Sequence, residues 1–319
     1  MQNKKKIESL MTGNLVLVIL IFVTFLVLSI TVPKFLTVDN IFNFLVQASN
    51  IGIPAIGLTF IVITAGIDLS LPTNMACSAI LGCGVMQKTQ NVFLGILSIL
   101  FFAFLFGCIN GLSVSYLKMV PMIVTLATQT LNTGISNFYT QGTSVGGLPG
   151  AYSKIFAVSI GNVVPISVFI FLLLAVIMHL VLTRTVFGRH LFQTGINEKA
   201  ARVNGVNTSK ILFLIYMIAG VMTGINGVLT AARLNSAGPT MGPASAFNNI
   251  ICACVLGGAS VWGGKGSIIG TVFGSILMAL INNVMNLMNV DFFATYVAKG
   301  IVIIVVCYID VLRNRMKEK

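Results

Sequence analysis

The chain has 319 residues, 56% of them hydrophobic and 8% charged, with a mean hydropathy of +0.99 and a formal net charge of +12. Soluble domains carry about a quarter of their residues as charge, so this composition excludes a soluble globular protein and marks an integral membrane protein. Apolar runs of about 17 to 25 residues suit membrane-crossing helices, and the alternation of a membrane β-barrel is missing, so an all-α polytopic fold is expected.

The basic N-terminal segment, 1–14, precedes an apolar run over 15–32 that lacks a small-x-small cleavage site, which reads as an uncleaved first helix. Further spans are expected over 41–64, 70–86, 92–114, 120–139, 163–183, 211–232, 244–261, 267–288 and 292–311. Ten crossings form one transmembrane domain over 1–319, with both ends on one side. Fourteen of the 19 lysines and arginines then fall on the side of the termini, four (Lys34, Lys88, Lys154 and Arg233) on the other, and Lys299 within the last span. Basic loops stay inside, so both termini, including a tail over 312–319, are expected in the cytoplasm. The net charge is thereby explained as topology and attraction to anionic membrane lipid, and no nucleic acid partner is implied.

Asp68 lies in the stretch ITAGIDLSLPTNM, between the second and third spans. A carboxylate there can accept hydrogen bonds from the free amides of the next helix, and Pro72 suits its first turn. Gly66, Asp68 and Ser70 therefore read as a cap and hinge, with a pathway-lining bend or contact with a partner as alternatives. GGASVWGGKGSIIG, with Gly264 and Gly266, occupies a similar place in the second half and hints at an internal two-fold repeat of broken helical regions.

Polar residues within spans are informative because an unpaired polar group costs several kcal/mol in hydrocarbon. Asn43, Gln47, Asn50 and Pro54 recur at i, i+4, i+7 and i+11 in the second span, and Thr125, Gln129, Asn132 and Ser136 repeat that spacing in the fifth. Each stripe fits either a translocation path for a polar uncharged solute or interhelical hydrogen bonding worth about 0.6 to 2 kcal/mol per contact. Lys299 either snorkels outward or neutralises a partner. Gly266, Gly270 and Gly274, with the pairs Gly107/Gly111 and Gly220/Gly224, signal close helix packing.

No catalytic, metal or nucleotide motif emerges. In GGASVWGGKGS the phosphate-loop pattern fails, because Ala259 stands where the first glycine belongs and Gly266 where Ser or Thr must follow the lysine. His179 and His190 have no ligand partners at metal spacing, and the six cysteines lie in apolar runs without a metal or disulfide pattern.

Three segments, Gly66-Ile67-Asp68-Leu69-Ser70, GRHLFQTGINEKAARVNGVN (188–207) and VLGGASVWGGKGSIIGT (255–271), together resemble bacterial ABC importer permeases of the ribose type, within the branched-chain amino acid/ribose permease superfamily. The resemblance runs over essentially the whole chain, in order. It implies a type II ABC-importer-like fold and a permease that translocates a monosaccharide across the bacterial inner membrane. The implied partners are a second permease copy or paralogue, a cytoplasmic ABC ATPase that carries the ATP and Mg, and a periplasmic or lipid-anchored solute-binding protein. No cofactor is expected on this chain. By the same resemblance, Gly195, Asn197, Glu198, Ala200, Ala201 and Gly205 in the loop 184–210 match the ATPase-coupling segment, a short helix. Asn197 suits its cap, Glu198 its first turn and Gly205 its end, while Ala200 and Ala201 would leave a shallow docking surface. A secondary transporter or facilitator working without an ATPase is the alternative from another class. A membrane-embedded enzyme finds no acid, base or nucleophile cluster.

Overall fold

In hydrocarbon every backbone amide and carbonyl must be paired within the protein, so apolar runs fold as helices. A computed structural model describes residues 2–156, 159–160 and 164–291 together with 294, 297, 300, 301 and 304. Lys299, most of the expected span 292–311 and the tail 312–319 lie outside the described residues.

Twelve helices are found among the described residues: α1 (Gln2–Thr31), α2 (Val38–Ile63), α3 (Leu71–Thr89), α4 (Val92–Ser115), α5 (Pro121–Thr140), α6 (Gly150–Phe156), α7 (Ile166–Arg184), α8 (Val186–Ile196), α9 (Glu198–Val203), α10 (Thr208–Leu234), α11 (Phe247–Leu256) and α12 (Ile268–Leu287). One small antiparallel pair, β1 (Ser159–Ile160) with β2 (Val164–Pro165), lies in the connection before α7. Five helices, α2, α4, α7, α10 and α12, are long and apolar enough to cross a membrane, and α1 contributes the shorter apolar stretch Leu17–Thr31. Helices α3 and α5 have 19 and 20 residues but carry more Thr, Ser, Asn and Gly.

The expected span 244–261 is corrected. Its helix, α11, has only 10 residues, about 15 Å, half of a hydrocarbon core of about 30 Å. Pro239 and Pro243 lack amide hydrogens, so the chain between α10 and α11 makes only two 3-10 turns, Pro239–Met241 and Ala244–Ala246, the second leading into α11; Gly257 and Gly258 end α11 on the other side. This connection dives into the molecule. A Cβ on Gly242 would stand 2.0 Å from the Pro72 carbonyl oxygen and 3.1 Å from the Ala76 Cβ. Ala76 lies about 20 Å, by helical rise, below the end of α3 at Thr89, so a connection of short 3-10 turns reaches well inside the bundle.

Helix α2 is the axis of the bundle. Of its most apolar 18-residue window 89% is buried, against 28% in α4 and α7, which lie at the outside of the bundle. On α4 the exposed stripe Phe93, Leu97, Phe101 and Leu105 follows the four-residue repeat of one helical face. The glycine pairs let backbones touch. Gly107 and Gly220 meet across α4 and α10, Gly270 lies against the Gly257 carbonyl, and Gly274 lies against that of Ala253. Where α2 meets α12, Asn40 and Asn283 exchange two side-chain amide hydrogen bonds of 3.2 and 2.7 Å.

Connections gather at two ends. At one, Ile63 at the end of α2 accepts a bond of 2.8 Å from the Gly264 amide, and Lys118 donates to Ser209 at 3.1 Å. At the other, Val145 pairs with Ala237, and the Tyr152 hydroxyl donates to the Val228 carbonyl at 2.7 Å.

Replacing Gly220 by Val drives a side chain into the Ala103 carbonyl, 2.6 Å from where its Cβ must stand. The expected loss is about 1 to 3 kcal/mol, read as a lower melting temperature in detergent. Gly134→Ala, where nothing lies within 4 Å, should show no loss.

Candidate functional site

The three segments singled out in the sequence meet at one place. Gly195, the penultimate residue of α8, sits so close to the end of α2 that a Cβ on it would be 1.9 Å from the Ile63 carbonyl oxygen and 3.0 Å from the Gly264 nitrogen. Gly263 lies against the Gly195 carbonyl with φ +84°, and Gly264 has φ +71°, a left-handed conformation that costs any other residue. Gly266 packs on the Ile63 side chain, and Gly66 faces Ile61 and the Tyr216 hydroxyl. No side chain fits between these strands of backbone, which explains why glycine recurs there.

The loop 184–210 forms two helices, α8 and α9, where one was expected. Thr185 caps α8 by accepting from the Gly188 amide at 3.3 Å. Asn197 ends α8 through its own amide to the Gln193 carbonyl and starts α9 by accepting from the Ala200 amide at 3.0 Å. Gly205, at φ +81°, follows the end of α9. Glu198 accepts from Arg202 and, at 3.1 Å, from the Thr208 hydroxyl, while the Lys118 ammonium stands 3.7 Å away. Partial burial alone would raise this carboxyl, but the hydrogen bonds from Arg202 and Thr208 and the charges of Arg202 and Lys118 outweigh it and hold Glu198 below the usual carboxylate range. Glu198 thus ties α9 to the start of α10 and to the connection between α4 and α5.

Ala201 is a correction: it is 2% exposed and packed in the core, so it offers no docking surface. Helix α9 turns that face inward because its neighbours Val206 and Ile211 belong to the same core cluster. Ala200 does face outward, beside two exposed apolar side chains, Ile196 at 71% and Val203 at 88%. Trp262, 76% exposed, projects from the glycine-rich connection.

Asp68 is buried at 2% exposure. One carboxylate oxygen accepts from the Ser70 amide at 2.9 Å and the Ser70 hydroxyl at 2.6 Å, and the other from the Asn110 amide at 3.5 Å. Asn110 also donates to Ser70 at 2.9 Å and accepts from Thr128 at 2.6 Å. The carboxylate therefore holds Ser70, the residue before α3, and fastens that turn to α4 and α5; it does not reach the first-turn amides of α3 itself.

The two polar stripes go to different interfaces. On α2, Asn43 accepts from Arg233 of α10 at 3.0 Å, Gln47 is half-buried, and the main-chain carbonyl of Asn50 accepts from Asn226 of α10 at 3.1 Å. On α5, which packs on α3 and α4, Thr125, Asn132 and Ser136 are buried and Gln129 is half-buried. Thr125 donates back to the Pro121 carbonyl at 3.0 Å, whereas neither end of the Asn132 amide has a partner among the described residues. Asn110, Thr128, Lys118 and Asn226 were not legible in advance, because each is a single polar residue without a repeat to betray its face. Among the described residues no cluster of three His, Cys, Asp or Glu could hold a metal ion.

The family described as branched-chain amino acid transport system / permease component matches residues 40–307. Among curated relatives, the ribose import permease protein RbsC of Bacillus subtilis is 36% identical over 291 residues, covering 91% of this chain and 90% of that protein. The L-arabinose transport system permease protein AraH of Escherichia coli is 30% identical over 298 residues, covering 93% and 90%. The galactose/methyl galactoside import permease protein MglC of Haemophilus influenzae is 31% identical over 320 residues, covering 93% and 94%. Among solved structures, an inward-facing transporter described as metal-chelate type ABC matches with a TM-score of 0.52 at 14% identity, covering 94% of this chain and 99% of that one, a likeness of fold alone.

Glu198→Gln tests the ties made by α9. A carboxyl held below its usual value of 4.5 stabilises the fold above that pH and loses its contribution as pH falls through the lowered value. The variant should be less stable than the parent at pH 7 by under about 1 kcal/mol, since the group is partly exposed, and the difference should vanish in acid. Paired thermal melts across pH read both.

Proposed function

We propose that this chain, which belongs to the branched-chain amino acid transport system / permease component family, is the membrane subunit of an ATP-driven importer for a monosaccharide. Its curated relatives are permease subunits of sugar ABC importers, not enzymes, and the family implies an ATPase and a solute-binding protein as partners. The relatives named for ribose, arabinose and galactose support a pentose or hexose as the substrate class here. The reading further includes a second permease copy or paralogue, surrounding membrane lipid, and a multi-pass placement in the bacterial inner membrane with both termini cytoplasmic.

One observation carries the proposal: the glycine-tight junction of Gly195, Ile63 and Gly264. Close packing of backbone on backbone transmits displacement rather than absorbing it. In this reading the ATPase grips α8 and α9, with Ala200, Ile196 and Val203 as the outward contact, and the push passes from Gly195 to the end of α2 and to the Gly263–Gly264 turn. Glu198 keeps α9 in register with α10 and with Lys118. Gly66, Asp68 and Ser70 fix the turn that follows α2, so movement of α2 is shared with α3. The polar residues of α2 and α5 serve the path: Asn43, Gln47, Asn50, Gln129 and Asn132 offer amides to a neutral solute, and Thr125 and Ser136 offer hydroxyls. ATP and Mg belong to the partner, and this chain supplies no group to the hydrolysis.

The double variant Glu198→Arg, Ala200→Trp, reconstituted in proteoliposomes with the ATPase and the solute-binding protein, should lose at least about tenfold of its uptake while still inserting, because a reversed charge and a bulky ring spoil the docked surface. Uptake at the parent rate would remove the coupling assignment. A cysteine at Val203 should be modified by an impermeant reagent only from the cytoplasmic side; modification from outside would overturn the orientation.

A further inference from the structure

Arg233 stands in the last turn of α10, at the end of the bundle that also carries β1 and β2. Its guanidinium donates to the Asn43 side chain at 3.0 Å and forms no ion pair with a described carboxylate. A long cationic side chain at a helix end ordinarily reaches out into water. This one is tied down beside a cavity of about 170 Å³, which lies between the start of α2, the end of α10, β2 and the start of α7. At about 30 Å³ per water, roughly five or six waters would fill it.

The cavity has more donors than the protein uses. Ser167, 6% exposed, lines it, and its hydroxyl keeps some accessible surface and has no partner among the described residues. Asn43 spends its oxygen on Arg233, which leaves its amide hydrogens available. Pro165, Ile166 and Ser167 all border the cavity, so the positive end of α7, a helix of 19 residues to which Pro165 brings no side-chain cap, is at the same place. A guanidinium, a helix start and a hydroxyl without an acceptor converge, and no acidic side chain lines the cavity. That combination calls for an oxyanion.

The other wall says which oxyanion. Val46, Phe156, Ile166 and Leu229 line it, and an inorganic ion would leave them against water, whereas a phosphodiester carrying glycerol carbons covers them. Helix ends lie at the level of the lipid headgroups. Helix α7 is at the outside of the bundle and packs on α2, α8 and α12 without a comparable seam to α10, so the gap between α7 and α10 opens toward the bilayer. The space holds a phosphate and the first glycerol carbons, and the acyl chains remain among their neighbours.

We infer that this cavity seats the phosphodiester of a membrane phospholipid, through Arg233, Ser167 and the start of α7, with Asn43 holding the guanidinium in place. A lipid seated there bridges α7 and α10. The inference needs only a chain that spans a membrane and stands whether or not the importer reading does.

The test uses the full chain, purified in detergent, stripped of lipid and titrated with phosphatidylglycerol, with bound lipid counted by native mass spectrometry. Arg233→Gln should raise the Kd of the first lipid at least about tenfold and Ser167→Ala roughly three- to tenfold, the effects of one charge-assisted and one neutral hydrogen bond. Arg233→Lys should recover only part, since an ammonium keeps the charge and loses the fork. Lys88→Gln, which removes a cation from α3 away from the cavity, should change nothing. Dioleoylglycerol, which has the chains without the phosphate, and millimolar inorganic phosphate should both fail to compete. The two site variants lie on different helices, so if one misfolds the other decides. A Kd unmoved by Arg233→Gln and Ser167→Ala, an equal weakening by Lys88→Gln, or competition by dioleoylglycerol would overturn the site; competition by inorganic phosphate would overturn the lipid in favour of a free ion.

Discussion

The need to pair every backbone amide in a medium that offers no water governs this molecule. Helices meet it by themselves, and α2, α4, α7, α10 and α12 do so with little else asked of their side chains. Wherever the chain leaves the helix inside the bundle, other groups must take over the pairing. Asp68, Ser70 and Asn110 do this between α2 and α3, and the Ile63 carbonyl with the Gly264 amide does it at the inner junction. The departures from helix, costly by themselves, are therefore where polar and glycine residues concentrate.

Glycine is the second half of that constraint. With no hydrophobic gain from helix to helix in lipid, association depends on close packing and on backbone contact. Gly107 with Gly220 and Gly257 with Gly270 bring helices together laterally, whereas Gly195, Gly263 and Gly264 join a connection to a helix end. The same residue type serves two purposes. Lateral contacts fix the bundle, while α8 and α9 are held by the junction at Ile63, by Glu198 on Thr208 and by Leu191 and Ala201 buried in the core.

Much of this was readable from the residues. Apolar runs located α2, α4, α7, α10 and α12 to within a few positions, and Asn197, Glu198 and Gly205 announced the ends of α9 because capping chemistry is local. The apolar run misled at 244–261, where Ala244–Ala246 forms a 3-10 turn and Gly257 and Gly258 end α11 after 10 residues. The tertiary facts were out of reach. That Ala200 faces outward and Ala201 inward depends on which side of a six-residue helix meets the core, and where the Asn226 amide hydrogens go depends on Asn50 and Met75, far away in sequence. Glycine spacing predicted close approach without naming the partner.

The reach of α2 has a mechanical consequence. It is one unbroken helix of 26 residues, about 39 Å long, tied near its start by the paired amides of Asn40 and Asn283 and gripped at its far tip by Gly195 and Gly264. Pro54 removes one rung of its hydrogen-bond ladder between those points, beside Asn50. Anchored at one end, softened in the middle and packed backbone to backbone at the other, such a helix would carry a sideways step at Ile63 to its midpoint as a change of tilt.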